Sequence, residues 1–232
     1  MNQLKEKNFC YLMISVFFLC FNSGLLNGVT IIDSGYTTCH MTGNLSYIGY
    51  HLADKNTDKI VNHFLLWVSY ITGGIISGII IPKESFHLKR SYGKVLFLML
   101  INIVIIYIIA TLNCKYYIFF SSLGSGMQNA ISTRYSKKVI RTTHLTGCST
   151  DISLNIAHIL KGNKEDTWVL NIFIPQIFFF ICGVFVSVIG FHYFQFKILL
   201  LNLLIIITLI MKHAMIISTS YEIPFSQALV SF

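Results

Sequence analysis

Apolar residues along this chain come in long unbroken runs, and the charged residues are gathered between them. Residues 8–32, 34–53, 60–82, 95–114, 116–133 and 167–196 contain no Asp, Glu, Lys or Arg, and a shorter uncharged run, 198–211, ends at Lys212. A helix needs about 20 residues to cross the hydrocarbon core of a bilayer. The pattern therefore predicts six spans, at about 9–32, 60–82, 94–113, 116–133, 168–192 and 197–217, with Lys212 snorkelling to an interface. Two further segments, 41–53 and 144–160, have helical character but are short and carry His, Thr, Ser and Asn, the second also Asp151. Neither suits lipid. Thr42-Gly43-Asn44 and Thr146-Gly147 read as their starts, because a Thr hydroxyl can cap the free N–H groups of a first turn.

Composition narrows the class. Hydrophobic residues make up 54% of the 232 and charged residues only 11%, with a mean hydropathy of +0.68, where a soluble domain carries roughly a quarter charged residues. A water-soluble or disordered chain is excluded. The net charge of +8 does not point to nucleic acid, because the charges sit in short clusters between apolar runs. The chain is read as one membrane domain, 1–232, with a short tail at 218–232. A cleaved signal peptide is the rival reading of residues 5–32, but the apolar run is long and lacks a small-residue cleavage pattern.

Charge also sets topology, since Lys and Arg accumulate in cytoplasmic loops. If neither short segment crosses and the N-terminus is cytoplasmic, 13 cations face the cytoplasm and four (Lys55, Lys59, Lys115 and Lys197) face outward. If both cross, the split is 8 against 9. The expected fold class is therefore all-α integral membrane, six spans plus two half-length non-crossing helices, in the cell (inner or plasma) membrane with both termini cytoplasmic.

The chain repeats itself. Ser23-Gly24-Leu25-Leu26-Asn27-Gly28, then Thr38-Cys39-His40-Met41-Thr42-Gly43, matches Ser125-Gly126-Met127-Gln128-Asn129-Ala130, then Thr142-Thr143-His144-Leu145-Thr146-Gly147. Downstream, Gly73-Gly74-Ile75-Ile76-Ser77-Gly78 on the second span matches Cys182-Gly183-Val184-Phe185-Val186-Ser187 on the fifth, small-xxx-small in both copies and suited to close helix packing in lipid. Each unit (about 9–113 and 116–217) runs span, half-helix, span, span. Three spans separate equivalent points, so the copies are inverted, as in many transporters. Irregular chain at 33–40 and 137–143 is tolerated at membrane depth only when buried in protein or lining a wet cavity. Each half-helix then starts near the midplane, and the two starts converge from opposite sides.

At these residues, Gly24-x-x-Asn27 with His40-Met41-Thr42-Gly43-Asn44, and the GxQNA and TTHxTG signatures of the second half, the chain resembles the YoaK-like family of bacterial multi-pass membrane proteins. The resemblance covers roughly 10–192 and implies a six-span protein of the cell membrane. It supplies no substrate and no catalytic residues.

The leading functional expectation is a permease or channel for a small polar or anionic solute. Its binding candidates are Asn27, Thr42, Gly43, Asn44, Asn129, Thr146 and Gly147, with His40, His144 and Asp151 as proton-handling candidates. Helix starts carry about half a positive charge each, imidazoles titrate near neutral pH, and an intramembrane carboxylate is costly unless it has a use. Structural roles compete with each: amide glue for the asparagines, helix caps for the threonines, backbone bonds for the histidines, and pairing with Arg134 or Arg141 for Asp151. Two rival functions stand beside transport, an intramembrane enzyme or cofactor protein using His and Asp, and a structural membrane protein without a ligand. No catalytic residue, metal site or cofactor is expected. There is no HExxH, HxxxH, GxSxG or CxxC, and the six cysteines are scattered. Asn44-Leu45-Ser46 matches a glycosylation triplet, unusable if Asn44 lies at membrane depth.

Overall fold

The computed structural model describes residues 2–81, 90–135, 142–162, 167–222 and 224–230. The sequence cations Lys83, Lys89, Lys137, Lys138, Arg141 and Lys164, and the connection 137–141, lie outside them. Among the described residues the chain is all-helical: α1 (Asn2–Ser34), α2 (Met41–Ala53), α3 (Thr57–Ile80), α4 (Arg90–Thr111), α5 (Tyr117–Tyr135), α6 (Leu145–Leu160), α7 (Thr167–Phe194), α8 (Leu199–Tyr221) and α9 (Phe225–Val230), with a 3₁₀ turn between α7 and α8. Four helical stretches are long and apolar enough to cross a membrane: Met13–Ser34, Thr57–Ile80, Arg90–Thr111, and Leu170–Tyr221, which holds both α7 and α8. The short segments expected at 41–53 and 144–160 are α2 and α6. The tail differs from a simple overhang, since α8 runs on to Tyr221 and α9 packs back on it, burying Ala228.

The helices are apolar all round, so what sorts their faces is packing rather than polarity. On α8, Leu199, Asn202, Ile206, Leu209, His213 and Ile217 form a buried stripe at helical spacing. Outward positions such as Ile79, Ile108, Phe178 and Phe185 are exposed and apolar, as lipid contact requires. Lys212 places its ammonium over the Phe18 ring, 5.3 Å from its centre.

Two helix pairs dominate the packing, α1 with α7 and α3 with α5. Both rest on glycine. A Cβ on Gly24 would lie 2.2 Å from the Phe180 carbonyl, and one on Gly183 2.2 Å from that of Phe21. In the other pair, a Cβ on Gly126 would lie 2.0 Å from the Tyr70 carbonyl, and one on Gly73 2.0 Å from that of Leu123. Backbone touches backbone in both, the contact that small residues permit in lipid. The pairing is parallel. Ser122 donates to the Leu66 carbonyl at 2.7 Å and Ser77 to that of Met127 at 3.1 Å, so residue numbers rise together along α3 and α5. α1 ends where Gly35 takes φ +75°, a left-handed conformation that favours glycine.

Adjacent glycines give an internal control. Gly73→Ala is expected to destabilise by about 1–3 kcal/mol, because a helix must move away from its partner. Gly74, whose Cβ would meet nothing within 4 Å, should tolerate Ala or gain about 0.5–1 kcal/mol from its helix propensity. Thermal unfolding in detergent, followed by tryptophan fluorescence, separates the two.

Candidate functional site

Asparagines hold the connections that follow α1 and α5. Asn27, 5% exposed, accepts the Thr38 N–H at 3.1 Å, eleven residues on. Asn129 accepts the Thr143 N–H at 3.3 Å and, more loosely, the Thr142 hydroxyl at 3.4 Å, while its amide donates to the Tyr70 hydroxyl. A second tie in the first half is Asn44, fully buried, which donates to the Thr37 carbonyl at 2.9 Å. Burial and this bond leave the Asn44 amide closed to glycosylation in this fold.

The half-length helices start alike. His40 and His144 are their N-cap residues, at φ −104°, ψ 77° and φ −89°, ψ 57°, and neither caps by a side-chain hydrogen bond. This differs from the expected threonine caps: the helices begin at Met41 and Leu145, so Thr42 and Thr146 fall at the second helical position. The imidazoles instead fold over the first turn, where a Cβ on Gly43 or Gly147 would lie 2.5 or 2.3 Å from ring Nδ1. Glycine at the third helical position makes room for the ring in both copies. The first N–H groups of a helix have no intrahelical partner, and here the N-cap side chains do not supply one.

Both starts border one cavity of about 220 Å³, lined by His40, Thr42, Tyr70, Asn129, His144 and Thr146, with Cys39, Met41, Thr143 and Leu145 beside them. At about 30 Å³ per water, that is room for about seven waters. Asn27, Gly43, Asn44 and Gly147 stand behind this lining rather than on it, holding the connections and seating the histidines. Asp151 is exposed, further along α6, and does not line the cavity.

The family described as "Protein of unknown function (DUF1275)" matches residues 15–211. The chain belongs to the DUF1275 family. No curated protein and no solved structure matches it.

Sequence reasoning missed a polar network behind the cavity. The Gln128 amide nitrogen shares its two protons among the Leu19 carbonyl (2.8 Å), the Ser23 hydroxyl (2.6 Å) and the Thr142 hydroxyl (3.2 Å), and its oxygen accepts from Asn22 at 3.0 Å. Asn202 on α8 donates to Asn22 at 3.1 Å. The network links α1, α5 and α8 to the connection carrying His144. Its signal in the sequence was the Gln of the GxQNA signature and the lone amides inside apolar spans. Tyr70 carried no signal of its own. The two halves also differ: Asn44 meets His63 Nδ1 at 2.9 Å, whereas the matching Cys148 donates to Gln176 at 3.5 Å.

Burial pushes the Cys39 thiol up to about 12, which leaves little of the thiolate that reacts with electrophiles. At pH 7.5, N-ethylmaleimide should modify Cys39 about 10³-fold more slowly than a free thiol, with half-buried Cys114 as the internal comparison. Mass-spectrometric mapping showing equal rates at the two would contradict this.

Proposed function

We propose that this DUF1275 protein is a YoaK-like permease or channel for a small polar or anionic solute, built from six membrane spans in two inverted repeats, with the cavity between the starts of α2 and α6 as its solute site. One observation carries the reading: two helix starts, each preceded by a histidine and seated by a glycine, share one cavity. Each start contributes roughly half a positive charge, and unpaired N–H groups at helix starts bind anions and carbonyl oxygens. Tyr70 and Asn129 add a hydroxyl and an amide for orientation. In this reading the solute leaves as it entered, with no bond made or broken.

Six spans follow if α5 crosses along with the four apolar stretches, the last counted as α7 and α8. Support comes from α5 running parallel to α3 and in contact with it from Ser122 to Met127. The low apolar content of α5 has a physical reason. Ser121, Ser122, Ser125, Gln128 and Ser132 are all buried, so its polar side points into protein. The inverted repeat is supported by the glycine contacts, which recur as Gly24–Phe180 with Gly183–Phe21 and as Gly126–Tyr70 with Gly73–Leu123. The cation count of 13 against 4 supports a turn at Asp54 facing outside and both termini in the cytoplasm.

Purified protein in proteoliposomes should pass at least one of formate, nitrate, urea and glycerol faster than protein-free vesicles, read by stopped-flow light scattering. Asn129→Leu should lower that flux about tenfold, the equivalent of about 1.4 kcal/mol and within reach of one lost polar contact. Thr42→Asp with Thr146→Asp should lower anion flux more than neutral-solute flux. No flux of any probe, with correct insertion, would end the reading. Topology is tested separately: reporter fusions after Asp54 and after Lys161 should report outside and cytoplasm respectively. A cytoplasmic Asp54 would mean that α2 crosses.

A further inference from the structure

One cluster of titratable side chains stands apart from the cavity. His51 on α2 and His63 on α3 are 5% and 6% exposed, with rings stacked 5.8 Å apart at 19°. Tyr47 lies nearly parallel to His63 at 5.0 Å, and Tyr36 contributes a tilted ring at 4.9 Å. Tyr50 meets His51 edge-on at 5.0 Å. His51 Nδ1 is buried and has no hydrogen-bond partner. A buried imidazole nitrogen without a partner is unfavourable, and a proton or a water taken up there would relieve it.

The hydrogen bonds fix the tautomer of His63. The Asn44 amide nitrogen donates to the Thr37 carbonyl, so its oxygen faces His63 Nδ1 and accepts from it at 2.9 Å. Neutral His63 therefore carries its proton on Nδ1 and leaves Nε2 as the basic site. A proton arriving there from water turns the Asn44 bond into a charge-assisted one and sets a cation among tyrosine rings. His51 on α2 and Lys59, one turn before His63 on α3, are the basic neighbours on these two helices. At the level of His63, α5 presents Tyr117, whose hydroxyl donates to Asp33 at 2.6 Å. Two imidazoles this close do not both charge readily, so one proton on the pair opposes a second.

We propose that the His51–His63 pair is a proton-binding site that holds a single proton, and that the cavity senses it through Asn44 and the connection 35–40. The route is short. His63 bonds Asn44, Asn44 bonds Thr37, the next residue bonds Asn27, and two residues further His40 lines the cavity. At the position matching Asn44 the second half has Cys148, which donates to Gln176 at 3.5 Å. The proton site lies at the end of the bundle marked by the Asp54–Asn56 turn. The site itself stands apart from the permease reading, on which only the consequence of the proton rests.

Histidine-selective ¹³C labelling of the protein in micelles gives the direct test. The ring signals of the pair should report uptake of one proton within about pH 5–8, the range histidine commonly covers, and His51→Gln should shift the midpoint seen at His63. Signals that stay fixed over that range, or a His63 midpoint unmoved by His51→Gln, would overturn the site. In vesicles, formate flux should vary about fivefold or more between about pH 5.5 and 8. His63→Gln should abolish that dependence, and Asn44→Ala should abolish it while leaving the pair titrating in the micelle spectra. If the pair titrates but no probe crosses, the permease reading falls and the proton site stands. If formate crosses with an unchanged pH profile in His63→Gln, the sensing role falls.

Discussion

Inside a bilayer, apolar burial no longer drives one helix onto another, because lipid tails are as apolar as leucine. What holds this bundle is contact between main chains at four glycines: Gly24 and Gly183 join α1 to α7, and Gly126 and Gly73 join α5 to α3. These contacts set the register of everything else. Asn27 and Asn129 each follow one of these glycines by three residues, close to one turn, so the helix contact that places the glycine also places the amide that ties the next connection. The connections in turn bring His40 and His144, with the helix starts behind them, to one cavity.

Buried polarity is the second consequence. Irregular backbone survives at membrane depth only where protein or trapped water satisfies it. The connections 35–40 and 142–144 meet that condition through side-chain amides: Asn27, Asn44 and Asn129 each bond backbone groups there, and Gln128 bonds the Thr142 side chain. The serines of α5 serve the same economy by returning hydroxyl protons to helix carbonyls. A helix built this way scores as too polar by hydropathy alone, while its serines at 121, 122, 125 and 132 and Gln128 are buried in protein.

The sequence made the outline legible and left the contacts illegible. Apolar run lengths predicted the helices within a few residues of their observed bounds, apart from the start of α1, which lies seven residues earlier at Asn2, and the short polar segments at 41–53 and 144–160 emerged as α2 and α6. Of the residues marked by the repeated Gly-x-x-Asn and His-x-Thr-Gly, His40, Thr42, Asn129, His144 and Thr146 line the cavity, whereas Asn27, Gly43 and Gly147 do not. Three things were hidden. Threonine capping chemistry suggested Thr42 and Thr146 as caps, but the N-cap of each helix is the histidine two residues earlier, and the glycine after each threonine gives that histidine's ring a seat. Asp151 drew attention as a charge in an uncharged run, yet it lies on an exposed face of α6. Tyr70 and the His51–His63 pair depend on which faces of α2 and α3 meet other helices, and single-sequence periodicity in an apolar bundle does not encode that.

The central claim is that solute passes between the two helix starts. Substituted cysteines test it most directly: Thr42→Cys and Thr146→Cys, each modified by a charged methanethiosulfonate, with flux of the transported probe measured before and after. The account predicts that modification at either position blocks flux and that the solute, in excess, slows the modification. Complete modification at both positions with undiminished flux would contradict it.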